Sequence, residues 1–177
     1  QALVELQKAF RGLPGLVANH TMSAETLGRS IVQAYYDADS QNATQALTNL
    51  ATIPSIDTAL TNFANALRAN SSLFGSISTA RNATQAFYTS EHRDLYDFAK
   101  RVSQISSAPQ SLKDAATALM AQLVRSIVFN KAQSDYPGAA GLAIYLPGTS
   151  DYFDSDYVGA GAVWSTATTW DEFLQDF

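Results

Sequence analysis

The sequence predicts a mainly α fold, a helical bundle with one or two strands and a loop or hairpin near the C-terminal end. Apolar residues recur at the three- and four-residue spacing of amphipathic helices over most of the 177 residues. The short apolar run at residues 142–146 instead lies between turn-forming Gly and Pro residues, as a buried strand would. Because 46% of the residues are hydrophobic, the chain can bury a real core, and we expect one domain.

Two helices are predicted near the N-terminus. The second begins after Ser23, whose hydroxyl can cap it, and Glu25 in its first turn suits the helix dipole. The first ends at the Pro14-Gly15 pair. Their apolar stripes are Leu3, Leu6, Phe10 and Leu13 in the first helix, and Leu27, Ile31 and Tyr35 in the second.

The middle of the chain predicts a short strand followed by three helices. Residues 46–53 fit a strand weakly, and Pro54 suits the first turn of the helix that follows. Residues 74–88 predict the next helix, which has a less regular face. The stripes of the first and third of these helices are Ile56, Leu60, Phe63 and Leu67, and Leu95, Phe98, Val102 and Ile105.

The longest predicted helix begins near Ser111. Residues 106–109 end the preceding helix, and Ser111 with Asp114 resembles a capping box that has Asp in place of Glu. We therefore expect residues 1–135 to be essentially helical. The apolar stripe of this helix comprises Leu112, Ala116, Leu119, Leu123 and Ile127.

Residues 136–177 predict a strand, an aromatic acidic loop and a short final helix that Thr169 could cap. The strand at residues 142–146 is apolar on both faces, as in a strand that is covered on both sides. Since an isolated strand leaves backbone polar groups unpaired, we expect it to pair with a sheet from a preceding region. The alternative is that it folds back onto the longest helix. The chain begins at Gln1 rather than Met, which favours a piece of a longer protein.

Charge and residue types exclude several functions. A formal charge of -5 argues against a nucleic-acid or anionic-membrane surface, because both require clustered Lys and Arg. No apolar run approaches the roughly 20 residues that span a bilayer. The chain has no cysteine, which excludes a thiolate nucleophile within it. All charged residues after Lys131 are acidic: Asp135, Asp151, Asp154, Asp156, Asp171, Glu172 and Asp176.

The sequence identifies no catalytic and no cofactor-binding residue. We expect surface or capping roles for His20 and His92, because neither has a cysteine to activate. Asp151, Asp154 and Asp156 are the candidate metal ligands, since calcium prefers clustered carboxylates, but the central Gly and distal Glu of an EF-hand loop are missing. The nearby aromatic residues are expected to pack rather than to bind carbohydrate or bases: Tyr152, Phe153, Tyr157, Trp164 and Trp170.

Five segments resemble, in the same order, those of clostripain-type cysteine peptidases. Residues 22–35 are similar to a Ser-capped family helix that ends in Tyr, and residues 46–67 to a strand that leads into a helix. The more recognisable motifs are Asp94-Leu-Tyr-Asp-Phe98, Gly141-Leu-Ala-Ile-Tyr-Leu-Pro147 and Trp170-Asp-Glu-Phe-Leu174. The family's catalytic Cys and its local motif have no counterpart here. The resemblance therefore implies the C-terminal helical region of such an enzyme rather than a complete protease.

The resemblance also implies properties of the parent enzyme. In that family a caspase-like α/β sandwich carries a His and a Cys that cleave after Arg or Lys, and the enzymes can depend on calcium. The partners of this chain would be the N-terminal catalytic region of the same protein and, through it, basic peptide substrates. The protein would be bacterial, and secreted or bound to the cell envelope.

Two hypotheses of function remain open from the sequence. In the first, the chain completes the fold of the peptidase and walls one side of its substrate cleft. In the second, it is a stand-alone helical interaction or ligand-binding domain without enzymatic activity. A large unmatched apolar surface along residues 142–146 favours the first hypothesis, and a closed core within the chain favours the second.

Overall fold

A computed structural model describes residues 22–38, 42–149, 152–159 and 163–177 of the chain. This part is mainly helical and contains two small antiparallel sheets, in agreement with the predicted mainly α class. The predicted first helix, at residues 3–13, lies outside the described residues. None of the described helices is both long and apolar enough to cross a membrane.

Six of the described helices follow the predicted order. Two short helices, Asp156–Gly159 and Val163–Ala167, lie where a loop or hairpin was predicted, so that prediction is wrong for these residues. A 3-10 turn at Leu50–Thr52 precedes the helix that begins at Ile53, and another at Ser71–Leu73 precedes the helix that begins at Phe74. The helices are α1 Ala24–Ala38, α2 Ile53–Arg68, α3 Phe74–Ala83, α4 Leu95–Ser103, α5 Gln110–Ser126, α6 Asp156–Gly159, α7 Val163–Ala167 and α8 Trp170–Asp176.

The four described strands form two separate pairs. They are β1 Thr44–Thr48, β2 His92–Asp94, β3 Ile127–Ala132 and β4 Ala143–Tyr145. β1 and β3 pair antiparallel, with Ala46 opposite Asn130 and an irregularity after Leu47. β2 and β4 also pair antiparallel, with Arg93 opposite Ile144. Each sheet therefore joins segments that are far apart in the sequence.

The core forms where α2, α4 and α5 pack on one another. The rings of Phe63 and Phe98 meet edge to face there, with centroids 5.9 Å apart. Burial of one such side chain contributes about 1.5–3 kcal/mol, so these two rings stabilise the packing of α2 on α4. The predicted stripes are confirmed at these buried positions: Ile56, Leu60, Phe63, Leu67, Leu95, Phe98, Val102, Leu112, Ala116, Leu119 and Leu123.

The helix starts confirm one predicted cap and correct two others. Thr169 directly precedes α8, but its side chain makes no capping hydrogen bond. Ser23 Oγ accepts a hydrogen bond from a backbone N–H in the first turn of α1 across 3.1 Å, as predicted. The predicted capping box at Ser111 is wrong, because α5 begins at Gln110 directly after an extended Pro109. Asp114 instead accepts a hydrogen bond from the side-chain amide of Gln110.

Helix α1 buries less than its predicted stripe implies. Val32 is its one buried residue, whereas Leu27, Ile31 and Tyr35 are half-buried. The helix lies against both strands of the β1–β3 sheet rather than against the three-helix core. This sheet and α1 therefore form a partly open layer at the side of the molecule.

The largest difference from the prediction is β3, which occupies the predicted end of the longest helix. Helix α5 ends at Ser126, and Ile127 has an extended backbone with ψ of 100°. Ile127, Val128 and Phe129 are β-branched or aromatic, and such residues favour a strand when a partner is present. Because β1, β2 and β3 lie within residues 1–135, that part of the chain is not uniformly helical. Helix α3 likewise ends at Ala83 rather than at the predicted residue 88.

The predicted strand at residues 142–146 is confirmed, but its predicted partner is wrong. β4 pairs with β2 of the same chain, and the N–H of Leu146 donates to the carbonyl oxygen of Glu91 across 2.7 Å. Ile144 and Leu146 are buried in the same core as the helices. The strand therefore requires no sheet from outside the chain.

Candidate functional site

The three most recognisable motifs contact one another in the folded chain. Together they form the motif junction, which comprises residues 94–98, 141–147 and 170–174. β2 and β4 bring the first two motifs side by side, with Asp94 opposite Ala143. The N–H of Leu95 donates to the carbonyl oxygen of Leu142 across 2.9 Å. The sheet thus ends where α4 begins.

Trp170 attaches the third motif to the junction. It is fully buried, and its Nε1–H donates to the carbonyl oxygen of Tyr145 across 2.9 Å. Its ring meets Phe98 edge to face, with centroids 6.3 Å apart, and it also packs on Phe173. Since a buried indole N–H needs an acceptor, the end of β4 fixes the position of α8.

Asp94 is the polar centre of the junction. It is fully buried and caps α4, because Oδ1 accepts from the N–H of Asp97 across 2.9 Å. Oδ2 accepts from the N–H of Ala140 across 2.7 Å, which ties the approach to β4 to the start of α4. Burial raises the pKa of Asp94 above its ordinary value, although the N–H donors act in the opposite direction. The carboxylate therefore holds backbone rather than facing a substrate.

Two arginines, Arg81 and Arg93, are buried beside the β2–β4 sheet. Arg81 donates to the carbonyl oxygen of Leu146 through Nε at 3.0 Å and through Nη2 at 2.8 Å. Arg93 donates through Nη1 to the carbonyl oxygen of Thr84, while its Nε has no partner among the described residues. Burial lowers the pKa of both guanidinium groups, and the charge of Arg93 adds to the effect on Arg81. Sequence analysis missed both arginines, because their local pattern is that of ordinary surface residues.

The aromatic residues of the C-terminal segment pack on β4. The rings of Tyr145 and Tyr157 stack with centroids 4.9 Å apart, and Phe153 lies beside both. Burial raises the pKa of Tyr157 to about 12. Tyr152 differs, because its side chain is exposed to solvent. The predicted packing role is confirmed for the others: Phe153, Tyr157, Trp164 and Trp170.

The candidate metal ligands form no assembled site in the part of the chain that is described. Asp154 and Asp156 are exposed, and Asp154 Oδ1 accepts from the N–H of Asp156 across 2.9 Å at the start of α6. Asp151 lies outside the described residues. Within the described ranges, no three His, Cys, Asp or Glu side chains are grouped so that they could hold a metal ion. Calcium binding through Asp151, Asp154 and Asp156 stays a prediction.

His92 occupies a surface position on β2. Its side chain is exposed, and its ring lies edge-on to Tyr145 with centroids 6.2 Å apart. The neighbour of its imidazole is thus an aromatic ring, and an imidazole needs a hydrogen-bonded nucleophile to act as its base. His20 lies outside the described residues.

The acidic C-terminal end is partly neutralised in the fold. Asp176 forms an ion pair with Arg68, in which Oδ2 and Nε are 2.6 Å apart. Asp171 is buried, and its Oδ1 has no hydrogen-bond partner among the described residues. Burial and the neighbouring charge of Glu172 raise the pKa of Asp171. The negative charge at the surface of this end is therefore weaker than the count of acidic residues implies.

A cavity of about 290 Å³ lies between the two sheets. This volume is near the lower limit for pockets that hold small ligands. The lining contains no charged side chain, and Gln45 Oε1 is buried without a partner among the described residues. The lining residues are Thr44, Gln45, Ala46, Phe87, Asn130, Ala139, Gly141 and Ala143.

The motif junction therefore contains a buried capping carboxylate and aromatic packing, and the buried arginines beside it, Arg81 and Arg93, bind carbonyl groups. These groups fix the backbone of β2, β4 and α8, which is a structural task. Comparison with protein-family models, with curated proteins and with solved structures gave no match to this chain.

Proposed function

We propose that this chain is the non-catalytic C-terminal region of a clostripain-like cysteine endopeptidase that cleaves after Arg or Lys. In this role it completes the fold of the enzyme and flanks the substrate cleft. A preceding region of the same protein would provide the catalytic His and Cys. Basic peptides would be the substrates, and the protein would be secreted by a bacterium or bound to its cell envelope.

The observation that supports this proposal is the meeting of the three family-like motifs at the motif junction. The residues that give each motif its character are also its buried residues: Asp94, Leu95 and Phe98, Ile144 and Leu146, and Trp170, Phe173 and Leu174. Motifs that pack on one another form one structural unit. This packing is a physical reason for the three motifs to occur together in one chain, in the order of the family that they resemble. A unit of this kind suits a region that supports catalysis elsewhere.

A second candidate is the stand-alone helical interaction or ligand-binding domain. The pairing of β4 with β2 favours it, because the apolar strand no longer requires a sheet from another region. The cavity between the sheets would then be the binding site. The half-buried layer of α1 and β1 favours the peptidase region instead, since a closed domain buries the apolar faces of its elements.

The test compares the chain alone with the complete polypeptide that its gene encodes. The 177-residue chain should hydrolyse no peptide amide containing Arg or Lys, because it has no thiol nucleophile. The complete polypeptide should hydrolyse these amides, and alkylation with iodoacetamide should abolish the activity. A complete polypeptide without alkylation-sensitive activity would contradict the peptidase proposal. Hydrolysis by the chain alone that resists alkylation would contradict both candidates.

A further inference from the structure

Strand β1 has an open edge in the described part of the chain. Its sheet contains β1 and β3 alone, so β1 has a neighbour on one side. The five residues of β1, Thr44–Thr48, include no charge and no proline, and all are half-buried. Edge strands are usually protected by Lys, Pro, a bulge or a covering loop. The irregularity after Leu47 lies near the end of the strand, so within the described ranges residues 44–47 lack this protection.

The register shows which backbone groups of β1 point away from β3. In an antiparallel pair, opposite residues alternate between exchanging hydrogen bonds and directing their polar groups outward. The N–H of Gln133 donates to the carbonyl oxygen of Ala43 across 3.0 Å, just before the strand begins. Gln45 lies two residues after Ala43, so its backbone N–H and C=O groups also bond to β3. The N–H and C=O groups of Thr44 and Ala46 consequently face the open edge.

These outward groups lie beside a cavity and find no partner within the described ranges. No hydrogen bond from another described residue reaches the backbone of Thr44 or Ala46. Both residues line the cavity together with Gln45, whose side-chain Oε1 is buried without a partner among the described residues. An open strand edge offers its backbone N–H and C=O groups to another strand, and an adjacent strand would provide a partner for each outward group.

The position of α1 indicates the origin of that strand. α1 packs on the face of the β1–β3 sheet and ends shortly before β1 begins. In a strand–helix–strand unit, the helix covers the sheet and joins two parallel strands that are usually neighbours. α1 and β1 match the second and third elements of such a unit. Its first strand would precede both the predicted helix at residues 3–13 and α1, and it would lie along the open edge of β1.

We propose that β1 pairs along its open edge with a parallel strand from the polypeptide that precedes this chain. The proposal rests on the proposed function, which places a region with a sheet before Gln1. It also moves the expected pairing between the two regions from β4 to β1. The other occupant that such an edge could take is β1 of a second copy of this chain.

Amide hydrogen exchange tests the pairing at single residues. In the 177-residue chain, the amides of Gln45 and Leu47 should be protected, and those of Thr44 and Ala46 should exchange about 100-fold faster. In the complete polypeptide, Thr44 and Ala46 should gain protection of about the same factor. This gain is the expected result, because a parallel neighbour accepts hydrogen bonds from both outward N–H groups.

A proline variant separates the new edge from the existing sheet. Thr44→Pro removes an N–H that β3 does not use, so the melting temperature of the 177-residue chain should be unchanged. In the complete polypeptide, the same substitution should lower the melting temperature and speed exchange at Ala46 about 10-fold. Thr44→Val is the matched control, because it keeps the N–H, and it should cause neither change.

Several outcomes would overturn the pairing. Protection of Thr44 and Ala46 in a monomer of the chain alone would mean that the edge is already covered. Protection that depends on the concentration of the chain would identify a second copy as the occupant. Fast exchange of the Thr44 and Ala46 amides in the complete polypeptide would exclude the preceding strand. A gene that encodes nothing before Gln1 would exclude it as well.

The exchange measurement and the peptidase assay can fail separately. Protection of Thr44 and Ala46 in a complete polypeptide that lacks alkylation-sensitive hydrolysis would remove the proposed function and support the pairing. Alkylation-sensitive hydrolysis by a complete polypeptide in which both amides exchange fast would support the proposed function and overturn the pairing.

Discussion

At the scale of single residues, buried polar side chains fix the backbone of this protein. Asp94 accepts from two backbone N–H groups, and Arg81 donates twice to one carbonyl oxygen. Arg93 holds the carbonyl oxygen of Thr84. Such groups are stable in the interior because hydrogen bonds offset the loss of water. Two buried atoms are exceptions, Arg93 Nε and Asp171 Oδ1, since neither has a partner among the described residues.

Asp171→Asn should stabilise the chain at neutral pH by about 1 kcal/mol, because it removes a negative charge that burial and the charge of Glu172 disfavour. Burial and the charge of Glu172 raise the pKa of Asp171 in the folded chain. Between the ordinary Asp pKa and this raised pKa, the folded chain holds a proton that the unfolded chain has lost. The stability of the wild type therefore falls as pH rises through that interval. Urea unfolding should show a higher midpoint for the variant at about pH 7 and little difference at about pH 3.

Asp114→Asn is the matched control for this substitution. Asp114 is exposed, and an Asn oxygen can still accept the hydrogen bond from Gln110. Its urea midpoint should equal that of the wild type at both pH values. If Asp171→Asn also left the midpoint unchanged at neutral pH, the ionised carboxyl of Asp171 would carry no cost in the folded chain.

At the scale of elements, local signals located the helices, whereas strand pairing depended on distant partners. The stripes of α2, α4 and α5 are buried as their spacing predicts. β3 was not predicted because Ile127 continues the apolar spacing of α5. A strand is favoured over a helix at these residues only because β1 provides hydrogen-bond partners. β2 was missed because its three residues are too few to show an alternating pattern.

Gly141→Ala should destabilise the fold by about 1–3 kcal/mol, because Gly141 has a backbone conformation that other residues rarely adopt. Its φ is 114°, and a Cβ there would lie 3.0 Å from Ile127 Cγ2 and 3.1 Å from Ala46 Cβ. The substitution would therefore disturb the contact between the segment entering β4 and the β1–β3 sheet. In thermal unfolding of a chain of this size, each kcal/mol lowers the melting temperature by about 2–4 °C.

Gly148→Ala provides the comparison for Gly141. A Cβ at Gly148 would meet no atom within 4 Å, and its φ is not in the left-handed region. Its melting temperature should stay within about 1 °C of the wild type, as for most surface substitutions. Similar melting temperatures for the two Ala variants would refute the requirement for glycine at position 141.

At the scale of the whole molecule, charge is distributed unevenly along the chain. No basic residue follows Lys131, whereas seven acidic residues do: Asp135, Asp151, Asp154, Asp156, Asp171, Glu172 and Asp176. The fold weakens the negative electrostatic field of these residues, because Asp171 is buried and Asp176 forms an ion pair with Arg68. Asp154 and Asp156 remain exposed and could attract basic peptides to the proposed enzyme.

If the proposed function holds, replacement of Asp151, Asp154 and Asp156 by Asn in the complete polypeptide should lower kcat/KM for Arg substrates about two- to fivefold at low salt. The reason is weaker attraction of cationic substrates, which changes association more than chemistry. At about 1 M salt the difference should disappear, because the Debye length falls to about 3 Å. An unchanged kcat/KM at low salt would leave solubility as the role of these residues.

The sequence alone determined the helical class, the apolar stripes of the core, the cap at Ser23 and the existence of the strand at residues 142–146. These features depend on residues within a few positions of one another, and local periodicity records them. Sequence analysis also found the motifs of the junction, but not how their residues contact one another. The absence of cysteine from the chain likewise needed no structure.

Only the tertiary structure decided that β4 pairs with β2, that β3 leaves the predicted helix, and that Arg81 and Arg93 are buried. The physical reason is that a strand is stabilised by hydrogen bonds to another strand, whose position in the sequence is arbitrary. A buried guanidinium is likewise stabilised by carbonyl groups from distant segments. The open edge of β1 was likewise visible only in the tertiary structure, because the register between β1 and β3 shows which backbone groups lack a partner.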